Sequence, residues 1–255
     1  MPPVPERRKE AALKDELVAA LHGPSEQLAA LLSERRDELP EVWALKTLSE
    51  DPVGDLHKDN FAHTVKVVEQ CGDAGDVTLL AALFHDVGKP LTRRVERGEV
   101  TFHGHEIVGA KLIRKRFAVL ELDPEPVIRT IMIAARAQSY LDSWTDSSVR
   151  RIRLDAGDDW DHAIRLAHSD VTSRHAYVHR RVHQTVDALT TRSDDLLVED
   201  ARKAERPVLN GDDLAELGVP RGPEMGRLLK WLLEENRAGR LRDRDDAEAA
   251  IRSYL

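Results

Sequence analysis

The sequence contains a single cysteine and no long hydrophobic run. One cysteine, Cys71, among 255 residues excludes an intramolecular disulfide framework and fits a reducing cytoplasm. No stretch approaches the roughly 18 apolar residues that a membrane-spanning helix needs. No apolar segment follows the charged residues of the N-terminus, so the sequence predicts no signal peptide. We therefore expect a cytoplasmic protein without a membrane partner.

An excess of positive charge is also lacking. The formal net charge is −8, which argues against a chain that coats nucleic acid through bulk charge, because such binding neutralises phosphates with Lys and Arg. A local basic patch remains open. Hydrophobic residues make up 41% of the chain and charged residues 33%, which is enough apolar surface to build a core and argues against disorder.

Apolar residues recur with the period of an α-helix along most of the chain, and we find no internal repeat and no multi-strand pattern. We expect residues 40–59 to be irregular and residues 91–102 to form a polar loop with a small hairpin around 97–98. The sequence predicts an all-α fold. The predicted helices cover residues 6–22, 25–36, 59–70, 77–87, 105–117, 124–137, 147–155, 160–172, 174–192, 194–206, 212–217, 224–236 and 243 onward.

His85 and Asp86 end a helix that is too apolar for a surface position, and Gly88-Lys89-Pro90 follows as its predicted end. Buried polar groups need partners, because leaving them unpaired costs several kcal/mol. Imidazole and carboxylate together form a ligand set for Fe, Mn, Co, Ni or Zn. His63 lies on the preceding predicted helix and Asp170 ends a third, so three helices can deliver these side chains to one ion. A lone buried histidine is more often a hydrogen-bonded core residue, and it is the His-Asp-Val-Gly-Lys string that favours a site.

Three segments resemble the signatures of the HD superfamily of metal-dependent phosphohydrolases: Phe61-Ala-His63-Thr, His85-Asp-Val-Gly-Lys-Pro90 and Asp170. A longer series of motifs over residues 39–255 is similar, in order, to the C-terminal HD-containing half of bacterial CCA-adding tRNA nucleotidyltransferases and poly(A) polymerases. The series includes Phe102-His-Gly-His-Glu106, Trp144-Thr-Asp-Ser-Ser-Val-Arg-Arg151 and Ser169-Asp-Val-Thr-Ser-Arg174.

The resemblance implies an HD-domain helical bundle with a small C-terminal helical extension. It divides the chain into an N-terminal helical segment at 1–56, an HD domain at 57–192 and a C-terminal helical tail at 193–255.

Two departures from the family pattern stand out. The residues before position 39 are read as helices rather than a nucleotidyltransferase head, so we expect this chain alone not to add nucleotides. Residues 131–139 contain no histidine where the family often has them, with Ala134 and Gln138 as the equivalents, which speaks against a second metal ion and against di-iron oxygenase chemistry.

The resemblance also implies roles for individual residues. We expect His63, His85, Asp86 and Asp170 to bind one divalent ion, which could be Mn, Ni, Co, Fe, Zn or Mg, and Asp86 to orient the attacking water. Lys89 is a candidate for neutralising phosphate charge, although it could equally be a solvated lysine. His103 and His105 are candidates for binding phosphate, for protonating the leaving oxygen or for holding a weak second ion, since the pKa of histidine lies near neutrality. His57 is a weaker candidate.

The sequence thus predicts a metal-dependent phosphohydrolase that acts on a nucleotide, a 2′,3′-cyclic nucleotide or an RNA-end phosphate, with tRNA as a further candidate partner. Two alternatives stay open. One is a non-catalytic RNA-binding body subunit of a split tRNA nucleotidyltransferase, and the other is a degenerate HD domain that keeps metal only for stability. Other candidates are interpreted structurally: Trp43, Trp144, Trp160 and Trp231 as packing anchors, His175, His179 and His183 as a solvated helix face, and Arg237, Arg240, Arg242 and Arg244 as a basic turn diluted by acidic neighbours.

Overall fold

The computed structural model describes residues 4–50, 59–204, 207–238, 240–241 and 243–254. Two residues named above lie outside these ranges: the candidate site residue His57 and Arg242 of the predicted basic turn. The regular structure of the described residues is helical apart from one short two-stranded sheet, which confirms the predicted all-α class. Its residues divide into two compact units, one up to Thr190 and the other from Thr191 onward. The predicted domain boundaries at 57 and 193 remain predictions.

The first unit begins with helices that pack on the later ones. They are α1 (Val4–Leu21), α2 (Ser25–Glu34) and α3 (Pro40–Trp43), followed by a 3₁₀ turn at Ala44–Thr47. Residues 40–47 were expected to be irregular, and they are helical because Pro40 occupies the first helical turn, where a missing N–H costs nothing. Leu17, Leu28 and Leu32 are buried, so the apolar stripes of α1 and α2 form part of the core.

The remaining elements of this unit follow in chain order. They are α4 (Asn60–Cys71), α5 (Asp76–Phe84), α6 (Lys89–Thr92), β1 (Arg94–Glu96), β2 (Glu99–Thr101), α7 (His105–Leu120), α8 (Glu125–Gln138), α9 (Asp146–Ala156), a 3₁₀ turn at Gly157–Asp159, α10 (Trp160–Ser169) and, up to Thr190, α11 (Ala176–Ala204), whose later residues belong to the second unit.

Helix α5 is the central element of this unit. Every residue from Thr78 to Phe84 is buried, and the helix contacts α4, α8 and α10. A helix that is apolar on all sides is stable only when other helices surround it. Asp59 caps the neighbouring α4, its Oδ1 accepting the N–H of Ala62 at 2.9 Å. The site residues at the ends of these helices are therefore held by a closely packed core.

The predicted hairpin is present, with Val95 paired to Val100 and a tight turn at Arg97 and Gly98.

Several helix ends differ from the prediction. Helix α5 stops at Phe84 rather than at 87, and the predicted break at Gly88-Lys89-Pro90 is instead the start of α6, since proline is well tolerated in a first helical turn. The predicted helix at 160–172 ends at Ser169. The two helices predicted at 174–192 and 194–206 form one, α11.

The second unit has a small core of its own. Its helices after α11 are α12 (Gly211–Glu216), α13 (Pro223–Arg237) and α14 (Arg244–Tyr254). Asn210 starts α12 with a capping box, accepting the N–H of Asp213 while Asp213 accepts the N–H of Asn210. The core residues are Leu209, Leu214, Val219, Met225, Leu228, Leu232, Leu241, Ala247 and Ile251. Within the described residues, no helix is both long and apolar enough to span a membrane.

Candidate metal centre

Four side chains from three helix ends converge in the first unit. His63 lies in α4, His85 and Asp86 directly follow α5, and Asp170 directly follows α10. The Nε2 atoms of His63 and His85 are 3.3 Å apart. Asp170 Oδ1 lies 3.1 Å from His63 Nε2 and 3.5 Å from His85 Nε2. Asp86 Oδ2 lies 3.3 Å from His85 Nε2 and 3.6 Å from His63 Nε2. We call these four residues the cluster.

Hydrogen bonds on the far side of each imidazole orient its Nε2 toward the cluster. His85 Nδ1–H donates to the carbonyl oxygen of Ala82 at 2.8 Å, so the lone pair of neutral His85 is on Nε2. His63 Nδ1 is 2.7 Å from the hydroxyl of Thr172, which can accept an N–H in the same way. Metal-ligating histidines usually make such an outer hydrogen bond, because it selects the tautomer and holds the ring.

Each carboxylate directs one oxygen to the cluster and the other to a side chain outside it. Gln138 donates to Asp170 Oδ2 at 3.5 Å and, more closely, to the carbonyl of Ala167 at 2.9 Å. Asp86 Oδ1 lies 3.7 Å from His105 Nε2. Asp86 Oδ2 also accepts from Lys89 Nζ at 2.8 Å. The short hydrogen bond from Lys89 therefore orients Asp86, whereas the contact of Asp170 with Gln138 is long and weak.

The electrostatics of the cluster favour positive charge. Burial would lower the pKa of His85, but the carboxylates of Asp86 and Asp170 raise that pKa well above its ordinary value. Burial alone would raise the pKa of Asp86 and of Asp170, but His85 and its neighbours lower the pKa of both carboxyls, so both are ionised. The buried carboxylate of Asp86 and the partly buried carboxylate of Asp170, beside two imidazoles, provide a strong attraction for a cation.

These residues fit a divalent metal ion. His63, His85 and Asp170 each offer one ligand atom, and the three atoms lie within 4.8 Å of one another in the described part of the chain. Asp86 adds an oxygen close to both histidines. Two imidazole nitrogens with carboxylate oxygens suit Zn, Mn, Fe, Co or Ni. Gln138, the residue expected to replace a family histidine, uses its amide as a hydrogen-bond donor to carbonyls.

A pocket of about 530 Å³ opens onto the cluster. The polar residues of its lining are His63, Lys89, Asp170, Thr172 and Ser173. The apolar residues are Val171, Val178 and Val182. Its volume is within the usual range for small-molecule sites, about 300–1,000 Å³.

The other predicted site residues differ in how close they come to the cluster. Lys89 is largely buried beside Asp86, and the Asp86 carboxylate raises the pKa of its ammonium against the opposing effect of burial. His105 faces Asp86 from the first residue of α7, with its Nδ1–H donating to Phe102 O at 3.0 Å. His103 is exposed, and among the described residues no hydrogen bond or ion pair joins it to the cluster.

The sequence reasoning did not single out Thr172, and it considered Gln138 only as a missing histidine. Thr172 contacts His63 of the cluster, and Gln138 contacts Asp170. Thr172 follows Asp170 by two positions, inside a motif that was recognised, so its position in that motif was the available signal.

The chain is similar to known proteins along most of its length. Residues 60–175 match the HD domain family. The chain is similar to the CC-adding tRNA nucleotidyltransferase of Thermus thermophilus, with 32% identity over 252 residues that cover 94% of this chain and 55% of the relative. It is also similar to the A-adding tRNA nucleotidyltransferase of Deinococcus radiodurans, with 27% identity over 253 residues that cover 95% of this chain and 58% of the relative. The chain spans about half the length of these curated relatives, and the resemblance expected from its motifs is confirmed.

Proposed function

Because residues 60–175 form an HD domain, we propose that this chain is a metal-dependent phosphohydrolase acting on a nucleotide, a 2′,3′-cyclic nucleotide or an RNA-end phosphate. The observation that carries the proposal is the convergence of two imidazole Nε2 atoms and two carboxylates at contact distances of 3.1–3.6 Å. This donor set opens onto a pocket large enough for a small phosphate ester.

In this proposal His63, His85, Asp86 and Asp170 hold one divalent ion. A divalent ion supplies a bound water of lowered pKa and polarises the phosphoryl group. Thr172 and the Ala82 carbonyl hold the imidazoles of His63 and His85 so that their lone pairs face inward. Donor groups fixed in this way are preorganised, and preorganisation is a main source of rate enhancement in electrostatic catalysis.

Lys89, Asp86 and His105 carry the remaining proposed roles. Lys89 is held 2.8 Å from Asp86 Oδ2 and also lines the pocket, so its ammonium can balance the charge of a phosphate. Asp86 Oδ1 can accept a hydrogen bond from the attacking water and orient it. His105 has its Nδ1 occupied by the Phe102 carbonyl, which leaves Nε2 to hold and deliver the proton that the leaving oxygen needs. We assign His103 no part in the reaction itself, and its proposed role is only to contact a substrate that is large enough to reach it.

The proposal is tested by hydrolysis assays on the purified chain. The substrates are bis(p-nitrophenyl) phosphate, 2′,3′-cyclic AMP and nucleoside monophosphates, each with Mn, Ni, Co, Zn or Mg. The comparison variants are Asp86→Asn, which keeps the size of a buried ligand side chain, and Asp73→Asn, whose carboxylate is 99% exposed. We expect metal-dependent turnover that Asp86→Asn abolishes and Asp73→Asn preserves. Full activity in Asp86→Asn would refute the mechanism.

A second candidate function is favoured by the comparisons. Similarity to two tRNA nucleotidyltransferases extends over 94% and 95% of this chain, well beyond residues 60–175. The chain could therefore serve as the RNA-binding body of such an enzyme. This function predicts tRNA binding that weakens steeply with salt and no turnover with any ester or metal. A metal that stabilises the fold without turnover and without tRNA binding would instead indicate a degenerate HD domain.

A further inference from the structure

A second pocket lies where the C-terminal end of α8 meets the start of α9. Its volume is about 460 Å³. Within the described residues, the side chains that line it are two arginines, one tryptophan and two serines, with no acidic side chain among them. They are Arg136, Trp144, Ser147, Ser148 and Arg151. None of them belongs to the cluster, and the roles proposed above use none of them.

The two arginines are held in place by one carboxylate. Arg136 Nη1 donates to Asp155 Oδ2 at 2.8 Å, and Arg151 Nε lies 2.8 Å from Asp155 Oδ1. Each guanidinium has five N–H donors, so the bonds to Asp155 leave most donors of both arginines for a ligand. Two positive groups share one negative partner, and the charge of the trio remains positive. Planar guanidinium pairs held in this way suit a phosphate, which they can bind through two parallel hydrogen bonds each.

Trp144 places an aromatic ring beside these cations. Its ring packs edge-on against the buried Tyr140, with ring centroids 5.6 Å apart, and Trp144 itself remains partly exposed to the pocket. The sequence predicts a packing anchor at Trp144, and its contact with Tyr140 fits that role. A held, partly exposed ring next to arginines also suits the stacking of a nucleobase beside its backbone phosphate.

We propose that this pocket binds one nucleotide unit of a single-stranded RNA, with the phosphate between Arg136 and Arg151 and the base against Trp144. Ser147 and Ser148 place hydroxyls that can bond the ribose or a phosphate oxygen. The overall charge of −8 argues against binding through bulk charge, so an RNA contact on this chain is expected at a local basic site. The inference is independent of hydrolysis at the cluster. A free nucleotide has the same phosphate and base groups, so the test also measures competition by AMP.

The test is fluorescence anisotropy with a 5′-labelled RNA of about ten nucleotides, a length within the span that one such groove contacts. The variants are the double substitution Arg136→Gln with Arg151→Gln, the single substitution Trp144→Leu, and Arg114→Gln as the matched control. Arg114 is exposed in the same unit and makes a comparable two-bond pair with Glu125, but it lies outside the pocket lining. Thermal melting of each variant shows that it folds.

We expect the arginine double variant to bind RNA at least tenfold more weakly at low salt. The slope of log Kd against log salt should fall by about 0.7 for the one phosphate lost. Trp144→Leu should weaken binding about fivefold to a hundredfold, in the range measured for stacking of one base, with the salt slope unchanged. Arg114→Gln should bind as the unaltered protein does.

Three results would overturn the proposal. The first is no RNA binding by the unaltered protein at low salt, and the second is equal affinity of the double variant and the Arg114→Gln control. The third is full displacement of the RNA by stoichiometric AMP, which would assign the pocket to a free nucleotide. Hydrolysis of bis(p-nitrophenyl) phosphate by the same variants separates the two sites. The pocket variants should retain whatever turnover the unaltered protein has, so failure of one proposal does not imply failure of the other.

Discussion

Gly88 lies closer to another helix than any larger residue could. A Cβ atom built at Gly88 would lie 1.9 Å from the carbonyl oxygen of His105 and 2.7 Å from the backbone nitrogen of Gly109, both in α7. The backbone of Gly88 is in the ordinary right-handed helical region, at φ −81° and ψ −18°. Contact with α7, and not a special backbone conformation, therefore requires glycine here.

Gly88→Ala should force α7 away from the cluster. Ordinary contact begins at 3.4 Å, so the start of α7 would have to withdraw by about 1.5 Å. Overpacking of this kind typically costs about 1–3 kcal/mol, which lowers Tm by about 2–12 °C at this chain length. Because His105 is the first residue of α7 and faces Asp86 across 3.7 Å, its withdrawal should also lower kcat, by about a hundredfold if the catalytic geometry is as sensitive as is usual.

The facing glycine provides the control. A Cβ at Gly109 would meet the nitrogen of Gly88 at 3.5 Å and a methyl of Val87 at 3.7 Å, both ordinary contacts. Gly109→Ala should therefore be tolerated and slightly stabilising, because alanine in a helix interior is favoured over glycine by about 0.5–1 kcal/mol. Thermal melting and hydrolysis of bis(p-nitrophenyl) phosphate measure both effects. If Gly88→Ala melts and turns over like Gly109→Ala, the account of this contact is wrong.

Three further predictions concern the cluster and the core beside it. Thr172→Val should weaken metal affinity about 10–100-fold in calorimetric titration with Mn²⁺, as loss of an outer hydrogen bond to a ligating histidine usually does. Thr172→Ser keeps the hydroxyl and should keep the affinity. Equal affinity of the two variants would show that Thr172 does not support the site. A divalent ion at a hundred times its Kd should stabilise the fold by about 2.7 kcal/mol and raise Tm, and a similar rise in Asp86→Asn would place the ion elsewhere. Cys71 is fully buried and burial raises the pKa of its thiol, so it should react with Ellman's reagent only on unfolding, and rapid labelling of the native chain would contradict its placement. The folded state keeps the Cys71 thiol protonated, so this thiol contributes its full share to the free energy of unfolding below the ordinary thiol pKa of about 8.5. That contribution is lost as the pH rises above this value. Urea melts of the unaltered protein and of Cys71→Ala at increasing pH measure the loss.

The cluster could be assembled from the sequence because its members are marked by their local context. His85 and Asp86 directly follow α5, which is buried from Thr78 to Phe84, so only partnered polar groups are tolerated there. His63 lies on α4 and Asp170 directly follows α10, and these are helices that such a buried helix needs as neighbours, since α5 contacts both. The roles of these residues as metal ligands stay predictions, although the structure brings their atoms together.

His103 and His105 were harder to separate. They flank Gly104 and look alike in sequence, yet His105 begins α7 and faces Asp86, whereas His103 is exposed. Gly104 adopts φ 76°, a left-handed conformation that reverses the chain between the two histidines. Which of two neighbours points inward depends on that turn and on where α7 packs.

The helical class, a small hairpin around residues 97–98 and the four residues of the cluster follow from the sequence alone, since hydrophobic period, turn chemistry and the cost of burying a lone charge are local properties. Tertiary structure decided what depends on a long-range approach between segments. Gly88 is needed only because α7 lies against it, Thr172 matters only because the loop after α10 reaches His63, and Arg136 and Arg151 share a pocket only because α8 and α9 meet at Asp155. A helical period specifies which face of a helix is buried, but it carries no information on which neighbouring atoms that face will meet.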